Sequence, residues 1–89
     1  MSAWKVEFRP RAEGDLSKLD KVIRRRIIEK LDWLAANFEN IFPLSLAGEF
    51  RDFNKLRVGD WRVFYKISWE GKTIDVCYIE HRSKAYKNK

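Results

Sequence analysis

The chain has 89 residues, of which 45% are hydrophobic and 36% charged, and it carries a net charge of +6. That length holds one domain with one core, and the charge favours a polyanionic partner, either nucleic acid or an acidic protein that masks the surface. No apolar run is long enough to cross a bilayer, and the start Met1-Ser2-Ala3-Trp4-Lys5 lacks a secretion signal, so the expected compartment is the cytoplasm.

Trp4-Lys5-Val6-Glu7-Phe8 alternates apolar and polar residues and predicts a half-buried first strand. Pro10 is placed to open a helix that carries Ala12, Leu16 and Leu19 at helical spacing, although Gly14 weakens it. Asp20 can cap a second helix, in which Ile23, Ile27, Leu31, Leu34 and Phe38 form one apolar stripe. Asn37 to Leu46, including Pro43, reads as a connection, followed by a second strand from about Phe50 to Val58. A third strand is expected from Trp61 to Trp69, a turn at Glu70-Gly71, and a fourth strand from Thr73 to Glu80. The predicted fold is α+β in a single domain, residues 1–89. An N-terminal strand and a two-helix hairpin precede an antiparallel meander, forming one sheet with the helices packed on one face.

A tight turn at Gly59-Asp60 sets Val58 against Trp61, Arg57 against Arg62 and Leu56 against Val63. Side chains alternate, so Leu56 and Val63 share one face while Lys55, Arg57 and Arg62 share the other. Centring the next turn on Glu70-Gly71 pairs Ile67 with Ile74, Tyr65 with Val76 and Val63 with Tyr78 on the apolar face. The same register pairs Lys66 with Asp75, Phe64 with Cys77 and Arg62 with Ile79 on the opposite face. It carries His81 there too, and leaves Glu80 on the core side. Cys77, the single cysteine, is expected in the core. Like charges directly opposite each other weaken a sheet, so the cluster of Lys55, Arg57, Arg62 and His81 points to a bound anion, for which arginine forks are suited. There is no His, Cys or carboxylate cluster at metal-ligand spacing and no glycine-rich phosphate loop, so neither a metal nor another cofactor is expected.

Three segments carry a family resemblance: Leu46-Ala47-Gly48, Lys55-Leu56-Arg57-Val58-Gly59-Asp60-Trp61-Arg62-Val63-Phe64-Tyr65, and Ile79-Glu80-His81-Arg82-Ser83-Lys84-Ala85-Tyr86. With them the chain resembles the RelE/ParE superfamily of bacterial toxins from Trp4 to Tyr86. The resemblance to the RelE branch implies one half of a toxin–antitoxin pair. Such a toxin is a metal-independent endoribonuclease that cuts messenger RNA in the ribosomal A site by attack of the 2′-hydroxyl, and a bound antitoxin silences it. It implies that Lys55 is a strand lysine acting as base, that Arg62 holds the scissile phosphate, and that Arg57 binds or orients the substrate. It also implies that Arg82 stabilises charge, a guanidinium being a poor proton donor, and that Tyr86 stacks on a base.

The chain departs from that pattern in two places. Phe53 stands where a first strand lysine is expected and could stack on a base. His81 has a counterpart in some related toxins, and histidine is the side chain that changes charge near neutral pH. The tail from Lys84 onward can track an RNA backbone. An antitoxin is expected as an amphipathic acidic segment that covers the Lys55/Arg62 face or displaces the tail. So small a basic cluster cannot position a strand alone, so slow cleavage of free RNA is expected, with the ribosome supplying orientation. Two other readings stand beside this one. The first is a ParE-like toxin that poisons DNA gyrase by binding alone. The second is a general nucleic-acid module using Lys21 and Arg24-Arg25-Arg26, although the i,i+4 pair Arg25 and Glu29 reads better as a solvated helix face.

Overall fold

The computed structural model describes residues 4–41 and 54–87. Strand β1 (Lys5–Phe8) leads into helix α1 (Pro10–Ser17) and helix α2 (Lys21–Ile41). Strands β2 (Asn54–Val58), β3 (Trp61–Ser68) and β4 (Thr73–His81) follow, and helix α3 (Arg82–Lys87) ends the described chain. The four strands form one mixed sheet in the order β1-β4-β3-β2. β1 runs parallel to β4, and the other two pairings are antiparallel. The fold is α+β with the helices on one face, as the element order predicts.

Local chemistry explains the helix boundaries. Pro10 occupies the first turn of α1, where its missing N–H costs nothing. The N–H groups of Lys18 and Leu19 turn back to the carbonyls of Asp15 and Leu16, which closes the helix. Asp20 caps α2 as expected: its Oδ1 accepts the N–H of Val22 at 2.9 Å and of Ile23 at 3.1 Å. Asp20→Ala is expected to cost about 1 kcal/mol, read as a lower urea midpoint with an unchanged slope.

The second helix does not stop at Asn37 but runs to Ile41. Phe38 extends the apolar stripe by another turn and is 1% exposed, while the Asn37 side-chain amide donates to the Trp33 carbonyl at 2.9 Å instead of breaking the helix. The remainder of the expected connection, including Pro43 and Leu46, and the expected start of the second strand from Phe50 to Phe53 lie outside the described residues.

The stripe packs where it is expected to. Ile27, Leu31, Leu34 and Phe38 of α2 are buried with Val63, Tyr65, Ile74, Val76 and Ile79 of the sheet. Trp4 closes the end of this core, its ring 4.3 Å from that of Phe38 and 5.5 Å from that of Trp69. Among the described residues, no helix is long and apolar enough to cross a membrane.

Burial raises the pKa of the Tyr65 phenol. The folded chain therefore holds that proton more tightly than the unfolded chain does. The associated stability is intact below about pH 10 and is lost as pH rises through the folded-state value. Tyr65→Phe is expected to flatten this alkaline loss, as measured by denaturant melts on either side of about pH 10.

The first hairpin has the predicted register: Lys55 faces Phe64, Leu56 faces Val63, Arg57 faces Arg62 and Val58 faces Trp61. Gly59 takes φ +60°, the left-handed conformation a two-residue hairpin turn asks of its first residue.

The second hairpin keeps the predicted register only as far as Tyr65 opposite Val76, where the ladder shifts by one residue. Cys77 is the extra residue of this bulge. Beyond it Phe64 faces Tyr78 rather than Cys77, Val63 faces Ile79 rather than Tyr78, and Arg62 faces Glu80 rather than Ile79. His81 comes opposite Trp61, on the core side of the sheet, and Glu80 moves to the basic face. Both placements reverse the expectation. The cause lies in the spacing of Val76 and Ile79: an odd separation would send them to opposite faces of a regular strand, yet both are buried. Burying one more isoleucine is worth about 1.5–3 kcal/mol, which outweighs a locally disrupted ladder. Cys77 is consequently half-buried at the bulge, not in the core, with its Sγ 3.5 Å from the Asp75 carbonyl oxygen.

Candidate functional site

The sheet face away from the α2 core carries Lys55 and Arg57 from β2, Arg62, Phe64 and Lys66 from β3, and Tyr78 and Glu80 from β4. Strict alternation on β2 and β3 puts the cations there, and the bulge adds Tyr78 and Glu80. Lys55 and Arg57 are exposed.

Arg57 and Arg62 face each other across the hairpin, and the structure separates their like charges. Arg62 is 5% exposed, and its Nη1 donates to the carbonyls of Gly59 at 3.1 Å and Trp61 at 3.0 Å. Arg57, on the edge strand of the sheet formed by the described residues, lines a cleft of about 460 Å³ together with Arg26, Glu29, Lys30 and Trp33 of α2.

The turn between β2 and β3 also holds the start of α3. The Arg82 backbone N–H donates to the Asp60 carbonyl at 2.8 Å, and the Arg82 Nε lies 3.8 Å from the Asp60 carboxylate. The Arg82 side chain remains largely exposed. His81 sits beside Trp61, the rings meeting edge to face at 5.1 Å. Its Nδ1 lies 3.3 Å from the Ser83 backbone N–H, which donates to it, and 3.1 Å from the Ser83 hydroxyl. In this position His81 braces the entry to α3 and does not face Lys55. Lys84 is exposed and lines a second cleft, of about 400 Å³, with His81, Trp61, Lys18 and Arg11. Tyr86 lies in α3, but its side chain is outside the described residues, as is all of Phe53.

Carboxylates near this face are held in ion pairs. Glu80 accepts from Arg11 at 3.3 Å, and Asp75 lies 3.9 Å from Arg9. Asp15 lies 3.6 Å from Arg11 and also accepts the backbone N–H of Ile79 at 3.0 Å, which anchors α1 along β4. The Arg11 guanidinium sits 4.7 Å from the Tyr78 ring centroid. Burial and the Glu80 charge raise the Tyr78 phenol pKa, while Arg11 opposes that rise. Among the described residues, no three His, Cys, Asp or Glu side chains converge on a point where a metal could sit.

The structure thus puts Lys55, Arg57 and Arg62 on one face of the sheet, ties Arg82 to the turn beside them through Asp60, and places His81 opposite Trp61 on the other face. Alternation places Phe64 on this face from the sequence, but sequence reasoning missed Arg11 and Tyr78 beside it, because the bulge that brings Tyr78 here leaves no local sequence signal. It also missed the cleft formed by Arg26 and Arg57, whose only trace is the Arg24-Arg25-Arg26 run on α2.

Comparison with known proteins gives a consistent picture. The sequence matches the family described as "ParE toxin of type II toxin-antitoxin system, parDE" over residues 6–86. No curated protein matches it by sequence. Among solved structures it is similar to the RelBE2 toxin–antitoxin complex of Mycobacterium tuberculosis, with 26% identity and a TM-score of 0.69, covering 90% of this chain and 99% of that one. The archaeal RelE–RelB complex of Pyrococcus horikoshii is 25% identical with a TM-score of 0.62, covering 92% of this chain and 98% of that one. The intact RelBE toxin–antitoxin complex of E. coli shares the fold at 22% identity and a TM-score of 0.67, covering 89% and 96%.

Proposed function

Because this chain belongs to the RelE/ParE superfamily of toxins from type II toxin–antitoxin systems, we propose that it is a ribosome-dependent endoribonuclease that cleaves messenger RNA in the A site. The observation that supports this reading most is that exposed Lys55 and Arg57 share one face of β2, while the turn that ends this strand holds the start of α3 and with it exposed Arg82.

Lys55 removes the proton from a ribose 2′-hydroxyl, and the 2′ oxygen attacks the adjacent phosphorus. The bond to the 5′ oxygen breaks, leaving a 2′,3′-cyclic phosphate and, once that oxygen takes up a proton, a 5′-hydroxyl. Arg57 and Arg82 stabilise the charge that builds on the phosphate oxygens. Arg62, tied to the turn carbonyls, holds the hairpin in shape and adds its charge from beneath the surface. His81 positions α3, and so Arg82, Lys84 and Tyr86, without touching the substrate. Phe53 and Tyr86 remain the proposed base contacts.

The antitoxin partner would lay an acidic amphipathic segment over the Lys55/Arg57 face. Programmed ribosomes should reveal the chemistry directly. A message with a 2′-deoxynucleotide at the first two A-site positions is expected to stay whole while its all-ribose twin is cut. Equal cutting of both would remove 2′-hydroxyl attack from the account.

A second reading, a gyrase poison that acts by binding alone, is favoured by the family description and by the burial of Arg62, the arginine that the resemblance assigns to the phosphate.

A further inference from the structure

We propose that His81 is a pH-sensitive latch: the neutral imidazole holds the start of α3, and a proton on the ring releases it. The inference concerns where α3 sits, so it goes beyond the reading above and stands whether the target is RNA or gyrase.

Helix α3 follows β4 directly and is tied down at its first two residues. The Arg82 N–H donates to the Asp60 carbonyl at 2.8 Å, and the Ser83 N–H donates to His81 Nδ1 at 3.3 Å. The Ser83 hydroxyl lies 3.1 Å from the same nitrogen. His81 thus acts as the N-cap of α3, accepting one of the backbone donors that a first helical turn cannot satisfy internally. A backbone N–H can only donate, so Nδ1 carries no proton here, and the neutral ring keeps its hydrogen on Nε2. The bulge at Cys77 is what delivers the ring to this task. It turns His81 away from the basic face and sets it opposite Trp61, where the two rings meet edge to face with centroids 5.1 Å apart.

Protonation reverses the arrangement. Both ring nitrogens then carry hydrogen, so Nδ1 has no lone pair for the Ser83 N–H and two donors meet head on. Charge acts in the same direction. The cleft beside His81 is lined by Arg11, Asp15 and Lys18 from α1, Glu80 from β4 and Lys84 from α3, while β3 presents the uncharged Trp61. Both carboxylates are paired with Arg11, and Asp60 in the turn with Arg82. A charged ring therefore adds to Lys18 and Lys84, and it stands at a helix N-terminus, where a cation is unfavourable. Docked α3 requires the unprotonated ring, so docking is fully present above the histidine range and is lost as pH falls through it. Arg82 keeps its own bond to Asp60, so the helix loosens from Ser83 onward and pivots at Arg82.

His81 is the only histidine of the chain, so no other side chain is expected to change charge between about pH 5.5 and 7.5. NMR on the full chain reads the imidazole shifts, the Cα shifts of Ser83 and Lys84, and the exchange protection of the Arg82 and Ser83 amides at both ends of that range. The acid end is expected to lower Ser83 protection roughly fivefold, the effect of losing one cap. The Cα shifts should move away from helical values, while Arg82 protection changes little. His81→Asn supplies a cap that does not titrate and should hold α3 equally at both pH values. His81→Phe keeps a ring against Trp61 but has no acceptor, so Ser83 should be unprotected at both.

Unchanged Ser83 protection in acid with a titrating ring would overturn the latch, as would a ring that stays neutral at about pH 5.5. An equal pH response in His81→Asn would assign the effect to another group, and full protection in His81→Phe would leave Nδ1 with nothing to hold; either result overturns the proposal. Equal losses at Arg82 and Ser83 would mean that the whole turn opens, and would remove the pivot. No outcome depends on cleavage or supercoiling, so the latch and the proposed function fail separately.

Discussion

Lys55→Ala is expected to slow A-site cleavage by about 100-fold or more, in the range for loss of a general base, while the protein remains folded. Lys55 is exposed on the edge strand, so its removal should change stability by no more than about 0.5 kcal/mol. Lys55→Arg separates the two jobs a lysine can do. An arginine restores the positive charge but cannot take a proton, so it should not rescue cleavage if Lys55 is the base. Arg57→Ala and Arg82→Ala are expected to cost about 100-fold each through lost charge stabilisation. Arg62→Ala is a poorer probe. It would remove two donors from the turn carbonyls and empty a buried site, so lost activity would not distinguish chemistry from a deformed hairpin. Rates come from single-turnover cleavage on programmed ribosomes, with thermal unfolding as the control. Wild-type rates in Lys55→Ala would remove Lys55 from the chemistry.

Phe38→Ala is expected to cost about 3–5 kcal/mol, the range for deleting a buried ring. Phe38 is 1% exposed at the far end of the α2 stripe, and its ring lies 4.3 Å from Trp4 and 5.8 Å from Trp69. One substitution therefore opens a cavity between the helix, the chain start and the β3–β4 turn. Domains of this size hold about 5–15 kcal/mol in total, so the variant should sit near its unfolding threshold. Val22→Ala on the exposed side of the same helix should change stability by less than about 0.5 kcal/mol. Chemical denaturation of the two variants side by side measures both, and a small effect at Phe38 would contradict the aromatic closure of the core.

Period and turn chemistry made much of this fold legible. Steps of three and four in the α2 stripe and the Gly59-Asp60 turn each have a single good solution, and together they place Lys55, Arg57 and Arg62 on one face. The bulge at Cys77 was not legible. Alternation predicts one register, and only the competition for core space between Val76 and Ile79, which depends on α2 packing above them, decides for another. From that one missed residue follow the misplacement of His81 and Glu80 and the failure to see Tyr78 beside Phe64. The end of α2 was missed for a related reason: Asn37 reads as a helix breaker locally, but the burial of Phe38 overrides it. The short helix α3 depends on distant contacts, the Arg82 N–H on Asp60 and the Ser83 N–H on His81, that no local pattern announces.

The most direct measurement is the fate of a defined message during in-vitro translation with the purified protein, with RNA ends mapped to the nucleotide and gyrase supercoiling followed in parallel. Breaks within A-site codons that fade in Lys55→Ala are expected, together with undisturbed supercoiling. Intact message with blocked supercoiling would contradict it and make this toxin a gyrase poison.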